Sequence, residues 1–230
     1  MKLSYYEIYI TSLRACSAMG FPYGLDEDAA NIITWLEFNN LNGIEKLAKI
    51  TKDTCNIKRK INLENIKISK TINLNKSSLL YNGPGLFDYL YEKMKRNKTS
   101  SIYLKNCKDP EFILPLITKF LKKHNSIKIN FFKKSINRKT FYISKKKILI
   151  SESNNKSYTL NNYCTIQFYK QIKKNPSSEK IINNINYEIK DSVTPNLKYW
   201  NIVAKKANET FVPATKSSRD KGAGGGDDND

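Results

Sequence analysis

Apolar and polar residues alternate along the first fifty positions with the period of an α-helix. The spacing predicts a first helix over Ser4–Met19, in which Ser4 and Glu7 form a capping box that satisfies two free backbone donors. It predicts a second helix over Leu25–Asn40 and a short third helix over Ile44–Lys52. Helices joined by such short connections pack against one another, so we expect the chain to begin with a helical segment.

After residue 52 the sequence is polar, with isoleucine and leucine mostly two or three positions apart. The alternation over Asn65–Leu74 predicts a strand or an extended arm. The tetrapeptide Asn82–Gly85 contains two glycines and a proline and therefore predicts a turn. We expect a helix to follow that turn directly, over Leu86–Lys95.

A strand, a helix and a second strand are predicted between residues 101 and 132. The strands are Ser101–Lys105 and Ile127–Phe132, and the helix between them begins at Pro110 with Asp109 as its cap. Such a unit typically forms a parallel pair of strands with a right-handed crossover. We therefore expect the two strands to pair with each other.

The rest of the chain is predicted to form a strand meander and one helix. Thr194 is expected to cap that helix, with Pro195 at its first position. The strands are predicted from short β-branched and aromatic runs at Thr140–Ile143, Lys147–Ser151 and Cys164–Tyr169.

These elements predict the α+β class, with an N-terminal helical segment, a mixed sheet containing one βαβ unit and a strand meander, and a C-terminal helix. The expected divisions are residues 1–52 for the helical segment, 53–211 for the α+β body and 212–230 for a Gly/Asp-rich tail, together forming one globular domain. No apolar run approaches the roughly 20 residues that cross a bilayer. The first residues lack the pattern of a signal peptide, so we expect a small soluble protein of the cytoplasm.

Net charge is the most unusual feature of the composition. The chain has 40 basic residues against 21 acidic ones, a formal charge of +19, and only five of the basic residues are arginine. Residues 46–206 carry 35 of the basic and 10 of the acidic side chains, whereas both ends are slightly acidic. Lysine, asparagine and isoleucine have AT-rich codons, so a genome poor in G and C explains the basic middle. The two ends, which this drift has spared, are expected to have specific roles.

Cysteine and histidine offer little chemistry. The four cysteines are too far apart in sequence for a Cys-x-x-Cys motif, and the chain has one histidine. We expect free buried thiols in a reducing compartment and no metal site built from these residue types.

The two ends carry recognisable motifs. Residues 19–30 read MGFPYGLDEDAA, residues 211–219 read FVPATKSSR, and GAGGG and DND follow at 222–226 and 228–230. Both ends resemble an uncharacterised family of bacterial proteins with a Gly-x-Pro-x-Gly-Leu motif near the start and a Ser-Arg, Gly-Ala-Gly and Asp-Asn-Asp tail. The resemblance implies that the tail is native, and it implies no activity.

The tail (residues 212–230) and the front motif (residues 19–30) supply the residues of the candidate site. Glycine-rich backbone can form a nest of amides around an anion, and an arginine can reinforce it. The tail carboxylates can bind a hard cation, and acids at the start of the second helix can act as metal ligands or as a general base. The candidate residues are Arg219, Gly222, Gly224, Asp227, Asp228, Asp230, Asp26 and Glu27.

These residues favour a protein that binds or transforms a small molecule, and they name no reaction, cofactor or oligomeric state. Two alternatives stay open. The basic stretch Lys128–Lys147 interleaves lysine with aromatic residues and could bind single-stranded nucleic acid, although the scarcity of arginine argues against this function. The protein could instead be an accessory subunit whose acidic tail docks on a partner.

Overall fold

The computed structural model describes residues 1–52, 61, 71–96, 101–107, 109–132, 137–156, 163–170, 180–186 and 190–211. The tail, residues 212–230, and most of the predicted arm over Asn65–Leu74 lie outside the described residues. Within the described part the protein is α+β, as predicted.

Six α-helices and two 3₁₀ helices are described, the latter over Pro110–Phe112 and Thr118–Lys122. The α-helices are α1 (Tyr5–Ala18), α2 (Leu25–Phe38), α3 (Gly43–Ile50), α4 (Leu79–Arg96), α5 (Ile113–Ile117) and α6 (Leu197–Asn208).

Nine strands in the described residues form two sheets. A small antiparallel pair joins β1 to β9, and the other seven strands form one sheet in the order β2-β3-β7-β4-β5-β6-β8. In the large sheet β2 and β3 are parallel, and every other neighbouring pair is antiparallel. The strands are β1 (Leu3–Ser4), β2 (Ile72–Asn73), β3 (Ser101–Lys105), β4 (Ser126–Phe132), β5 (Asn137–Ser144), β6 (Lys147–Lys156), β7 (Tyr163–Tyr169), β8 (Lys180–Asn186) and β9 (Ser192–Val193).

The N-terminal helices form as their local signals predict. Ser4 caps α1, and the reciprocal bonds with Glu7 complete the capping box. The carboxylate of Glu37 on α2 accepts the backbone N–H of Ile44 at 2.9 Å and so caps α3. The two helices approach so closely that a Cβ at Gly43 would lie 2.1 Å from the carbonyl oxygen of Ile33. The close packing of α3 against α2 therefore requires glycine at position 43.

The last helix joins this helical layer. Residue Leu3 pairs with Val193 in the small sheet, and α6 then packs on α1 and α3. The predicted cap of this helix is wrong by two residues, because the side chain of Asn196 accepts the N–H of Lys198 at 3.0 Å. Thr194 and Pro195 precede the helix and lead into it from β9.

The predicted turn at Asn82–Gly85 is also wrong, because α4 begins at Leu79 and runs through Pro84. The hydroxyl of Ser78 accepts the N–H of Leu80 at the start of the helix. Gly83 serves the packing of α4 against α5, since a Cβ there would lie 2.6 Å from Leu116 Cδ1. The glycine and proline here reflect close packing within a helix and not a chain reversal.

The predicted parallel pair does not form, because β7 lies between β3 and β4 and bonds to both. The alternating side chains Cys164, Ile166 and Phe168 of β7 are buried, which gives this strand the central position. The intervening helix is split into two 3₁₀ segments around α5, and Asp109 makes no side-chain cap bond. Strand β8, at the edge of the sheet, was not predicted from the sequence.

Candidate functional site

The α1–α2 turn presents the front motif at one corner of the helical layer. Gly20 and Gly24 have φ values of 74° and 84°, a region that glycine enters without steric cost. Between them Phe21 is buried with its ring edge against Tyr81, at a centroid separation of 5.2 Å, and Tyr23 is 94% exposed. The turn is thus anchored by one aromatic ring and exposes another.

Asp26 is a buried carboxylate at the start of α2. Its Oδ2 accepts the hydroxyl of Ser17 on α1 at 2.7 Å, and its Oδ1 accepts the N–H of Glu27 at 3.0 Å. The N-terminal end of a helix favours a negative charge, which explains why an acid is tolerated here. Burial, and secondarily the charge of Asp26, raise the pKa of the Cys16 thiol, so this cysteine stays protonated.

Two exposed carboxylates follow the buried Asp26 along the helix. Glu27 and Asp28 continue the first turn of α2 on the surface. Burial raises the pKa of Asp28, and the carboxylates of Asp88 and Glu27 raise it further. Asp88 pairs with Lys119, so one cation lies close to the carboxylates of Asp28 and Asp88.

The sequence-predicted site residues divide into two groups. The structure brings Asp26 and Glu27 together on the first turn of α2. The chain is last described at Phe211, whose ring lies under the Arg14 guanidinium at 4.7 Å from the centroid. The other six candidates, all in the tail, lie outside the described residues: Arg219, Gly222, Gly224, Asp227, Asp228 and Asp230.

A pocket away from the α1–α2 turn was not predicted from the sequence. It is an open pocket of ≈ 560 Å³ between α2, the second 3₁₀ helix and the β5–β6 turn. No short motif marks it, because its lining comes from three distant segments. The lining residues are Trp35, Thr118, Leu121, Lys122 and Lys145.

Three of the four aromatic side chains of the basic stretch Lys128–Lys147 are buried. Phe141 is fully buried, Phe131 is 7% exposed and Tyr142 is 8% exposed. The ammonium of Lys128 lies over the Tyr142 ring at 4.9 Å. These rings therefore support the sheet and are not available as a stacking platform.

Cys16, Cys107 and Cys164 are free and buried. Within the described residues no three acidic, histidine or cysteine side chains are grouped so that they could hold a metal ion. In the same part of the chain no helix has the length and apolarity required to cross a membrane.

Residues 3–78 match the model of a family described as a protein of unknown function, DUF3726. The match covers α1 to α3 and therefore the turn with Asp26 and Glu27, in agreement with the expected resemblance to an uncharacterised family. The tail motif lies beyond the matched residues. No curated protein matches the sequence.

Among solved structures, the chain is similar to two malate dehydrogenases. The enzyme from Entamoeba histolytica is 11% identical with a TM-score of 0.47, and the match covers 73% of this chain and 49% of that one. The enzyme from Pyrococcus horikoshii OT3 is 9% identical with a TM-score of 0.48, and the match covers 66% of this chain and 50% of that one. The chain thus spans about half the length of these enzymes, and so distant a likeness carries nothing about activity.

Proposed function

We propose that this protein binds a small zwitterionic molecule where the α1–α2 turn meets the C-terminal tail. Arg219 and the backbone amides of Gly222 and Gly224 hold the anionic group of the ligand. Glu27, with Asp26 beneath it, faces the cationic or hydrogen-bond-donating group. Further acceptors come from the end of the tail, at Asp227, Asp228 and Asp230.

The contact between Phe211 and Arg14 is the observation that carries this proposal. It fixes the point at which the tail leaves α6 on the surface of α1. Arg14 precedes Ser17, the partner of Asp26, by three residues, which is about 4.5 Å along the helix axis. The eight residues from Phe211 to Arg219 span at most about 28 Å when extended, so the tail can reach the turn.

The chemistry of the turn suits the cationic part of such a ligand. A carboxylate has about four lone-pair sites, and the two described bonds of Asp26 use two of them. Glu27 follows Asp26 in the first turn of α2 and is exposed, so its carboxylate can bond to a bound ammonium or amide group, while the buried charge of Asp26 adds to the negative potential there. The acids of the turn and the arginine of the tail carry opposite charges, so the two parts of the site suit the two ends of a zwitterionic ligand.

The test uses thermal shift and calorimetry with a panel of free amino acids as zwitterionic probes. We compare the full chain with a chain that ends at Ser218. The proposal predicts that at least one amino acid binds the full chain, and that removing residues 219–230 abolishes binding while the melting temperature of the free protein is retained. Equal binding by both chains, or no binding by the full chain, would refute the proposal.

Point variants locate the site within the full chain. Glu27→Gln removes an exposed charge without changing shape, and we expect affinity for the bound amino acid to fall about tenfold or more. Asp26→Asn keeps an acceptor for Ser17 and should have a similar effect. Glu152→Gln, on β6, is the matched control and should leave affinity unchanged. A loss of affinity in the control would place the ligand elsewhere.

As part of the same proposal, the protein works in the bacterial cytoplasm and the basic middle is a solvated surface without a nucleic-acid partner. The burial of Cys16, Cys107 and Cys164 as free thiols supports a reducing compartment. The burial of Phe131 and Phe141 supports the second point. Tight, salt-dependent binding of single-stranded DNA or RNA would contradict it.

A further inference from the structure

The pocket beside Trp35 is separate from the proposed ligand site, and nothing so far assigns it a ligand. Trp35 follows Asp26 by nine residues, which places it about 13.5 Å along α2 and on the opposite face of the helix. A volume of ≈ 560 Å³ is in the usual range for small-molecule sites. The pocket lies between α2, the second 3₁₀ helix and the β5–β6 turn, so its lining comes from three separate elements.

The walls of the pocket are apolar and aromatic. Trp35 is partly buried against the core, and its indole ring forms one side. Leu121 is 6% exposed and forms an aliphatic surface. The hydroxyl of Thr118 donates to the carbonyl of Pro115 at 2.7 Å, so towards a ligand its oxygen can only accept. These groups favour a flat, largely apolar ligand body.

Two ammonium groups give the pocket its charge. Lys122 ends the second 3₁₀ helix and Lys145 lies in the β5–β6 turn, so two different elements each contribute one cation to the same pocket. Among the described residues no carboxylate lies within 4 Å of either ammonium. By contrast, the nearby Lys119 is paired with Asp88, and Lys123 lies over the ring of Tyr91.

From this geometry we infer that the pocket beside Trp35 binds a small aromatic or planar molecule that carries a carboxylate or phosphate group. The ring of the ligand packs on Trp35 and Leu121, and its anionic group lies between Lys122 and Lys145. Two cations beside a single aromatic wall discriminate against a neutral ring and against a cationic one. The apolar wall in turn favours an aromatic anion over a bare one, because only the aromatic anion removes the wall from water.

The test records the indole N–H resonances of the full chain by NMR, because the chain has only two tryptophans and Trp200 serves as an internal reference. The probes are phenyl phosphate and benzoate, and the controls are inorganic phosphate, benzyl alcohol and benzylamine. We expect the Trp35 signal, assigned with a Trp200→Phe variant, to shift in a saturable way with at least one of the two probes. Comparison of the probes tells phosphate from carboxylate.

Lysine variants show whether the charge acts locally. Lys122→Gln and Lys145→Gln should each weaken the binding of the probe about tenfold. Lys146→Gln removes the same charge from the same turn without lining the pocket, and its affinity should stay within about twofold of the parent protein. No saturable shift at Trp35 with either probe, an equal shift with benzyl alcohol or inorganic phosphate, or an equal loss in Lys146→Gln would overturn the inference.

Discussion

A substitution at Gly85 tests whether residues 82–85 belong to a helix, as the structure shows, or form a turn, as the sequence suggests. Gly85 lies exposed within α4, and a Cβ added there would meet no atom within 4 Å. In an exposed helix interior, alanine is more favourable than glycine by about 0.8–1.0 kcal/mol. We therefore expect Gly85→Ala to raise the free energy of unfolding by about 1 kcal/mol, which is roughly 2–4 °C in melting temperature for a chain of this size.

The assay is urea unfolding followed by circular dichroism, with Gly83→Ala as the comparison. Gly83 lies in the same helix, but its added Cβ would lie 2.6 Å from Leu116 Cδ1. That side chain must move, so the gain in helix propensity should be cancelled or reversed at position 83. If Gly85→Ala instead lowers stability by about 1 kcal/mol or more, residue 85 has the positive φ of a turn and the helix assignment is refuted.

Three further predictions concern close packing, capping and pH. Gly43→Ala should destabilise the protein by about 3 kcal/mol or more in urea, because its Cβ would collide with the backbone oxygen of Ile33, which can move only with the whole of α2. Asn196→Ala should cost about 1 kcal/mol by the same assay, whereas Thr194→Ala should change stability by less than about 0.5 kcal/mol; the reverse order would restore Thr194 as the cap. Burial and two nearby lysines lower the pKa of His124, so the unfolded chain takes up the proton first and stability should fall as pH drops through about 6.5. If the urea midpoint changes by the same amount between about pH 7.5 and pH 5.5 in the parent protein and in His124→Gln, this prediction is contradicted.

Local signals predicted the N-terminal helices well. The capping box of α1 and the acidic first turn of α2 act within a few residues of the chain, so their outcome does not depend on distant partners. The β5–β6 pair of the predicted meander forms for the same reason, since the two strands are neighbours in sequence. The third strand predicted for that meander, β7, is wrongly placed by the sequence, because it pairs with β3 and β4 and not with β6.

Tertiary contacts decided the elements that the sequence did not predict. Pro84 is accommodated within α4 because Leu79, Leu80 and Leu86 are buried on both sides of it, so packing outweighs the local preference for a turn. The position of β7 between β3 and β4 depends on strands that lie tens of residues away in sequence. The pairing of β1 with β9 joins segments about 190 residues apart in sequence, and no local pattern marks it.

The candidate sites show the same division. The placement of Asp26 and Glu27 on one helical turn was predicted, because the front motif puts them next to each other in sequence. The pocket beside Trp35 was not predicted, because in a chain with so many lysines neither Lys122 nor Lys145 stands out. Only the fold places those two cations beside the same indole ring.

The proposed function rests on the tail docking at the α1–α2 turn, and amide hydrogen exchange tests this without any ligand. The measurement compares residues 20–28 in the full chain with the same residues in a chain that ends at Phe211, using α3 as the internal reference. The account predicts that removing the tail accelerates exchange at the turn and leaves Gly43–Ile50 unchanged. Identical exchange at residues 20–28 in the two chains would contradict it.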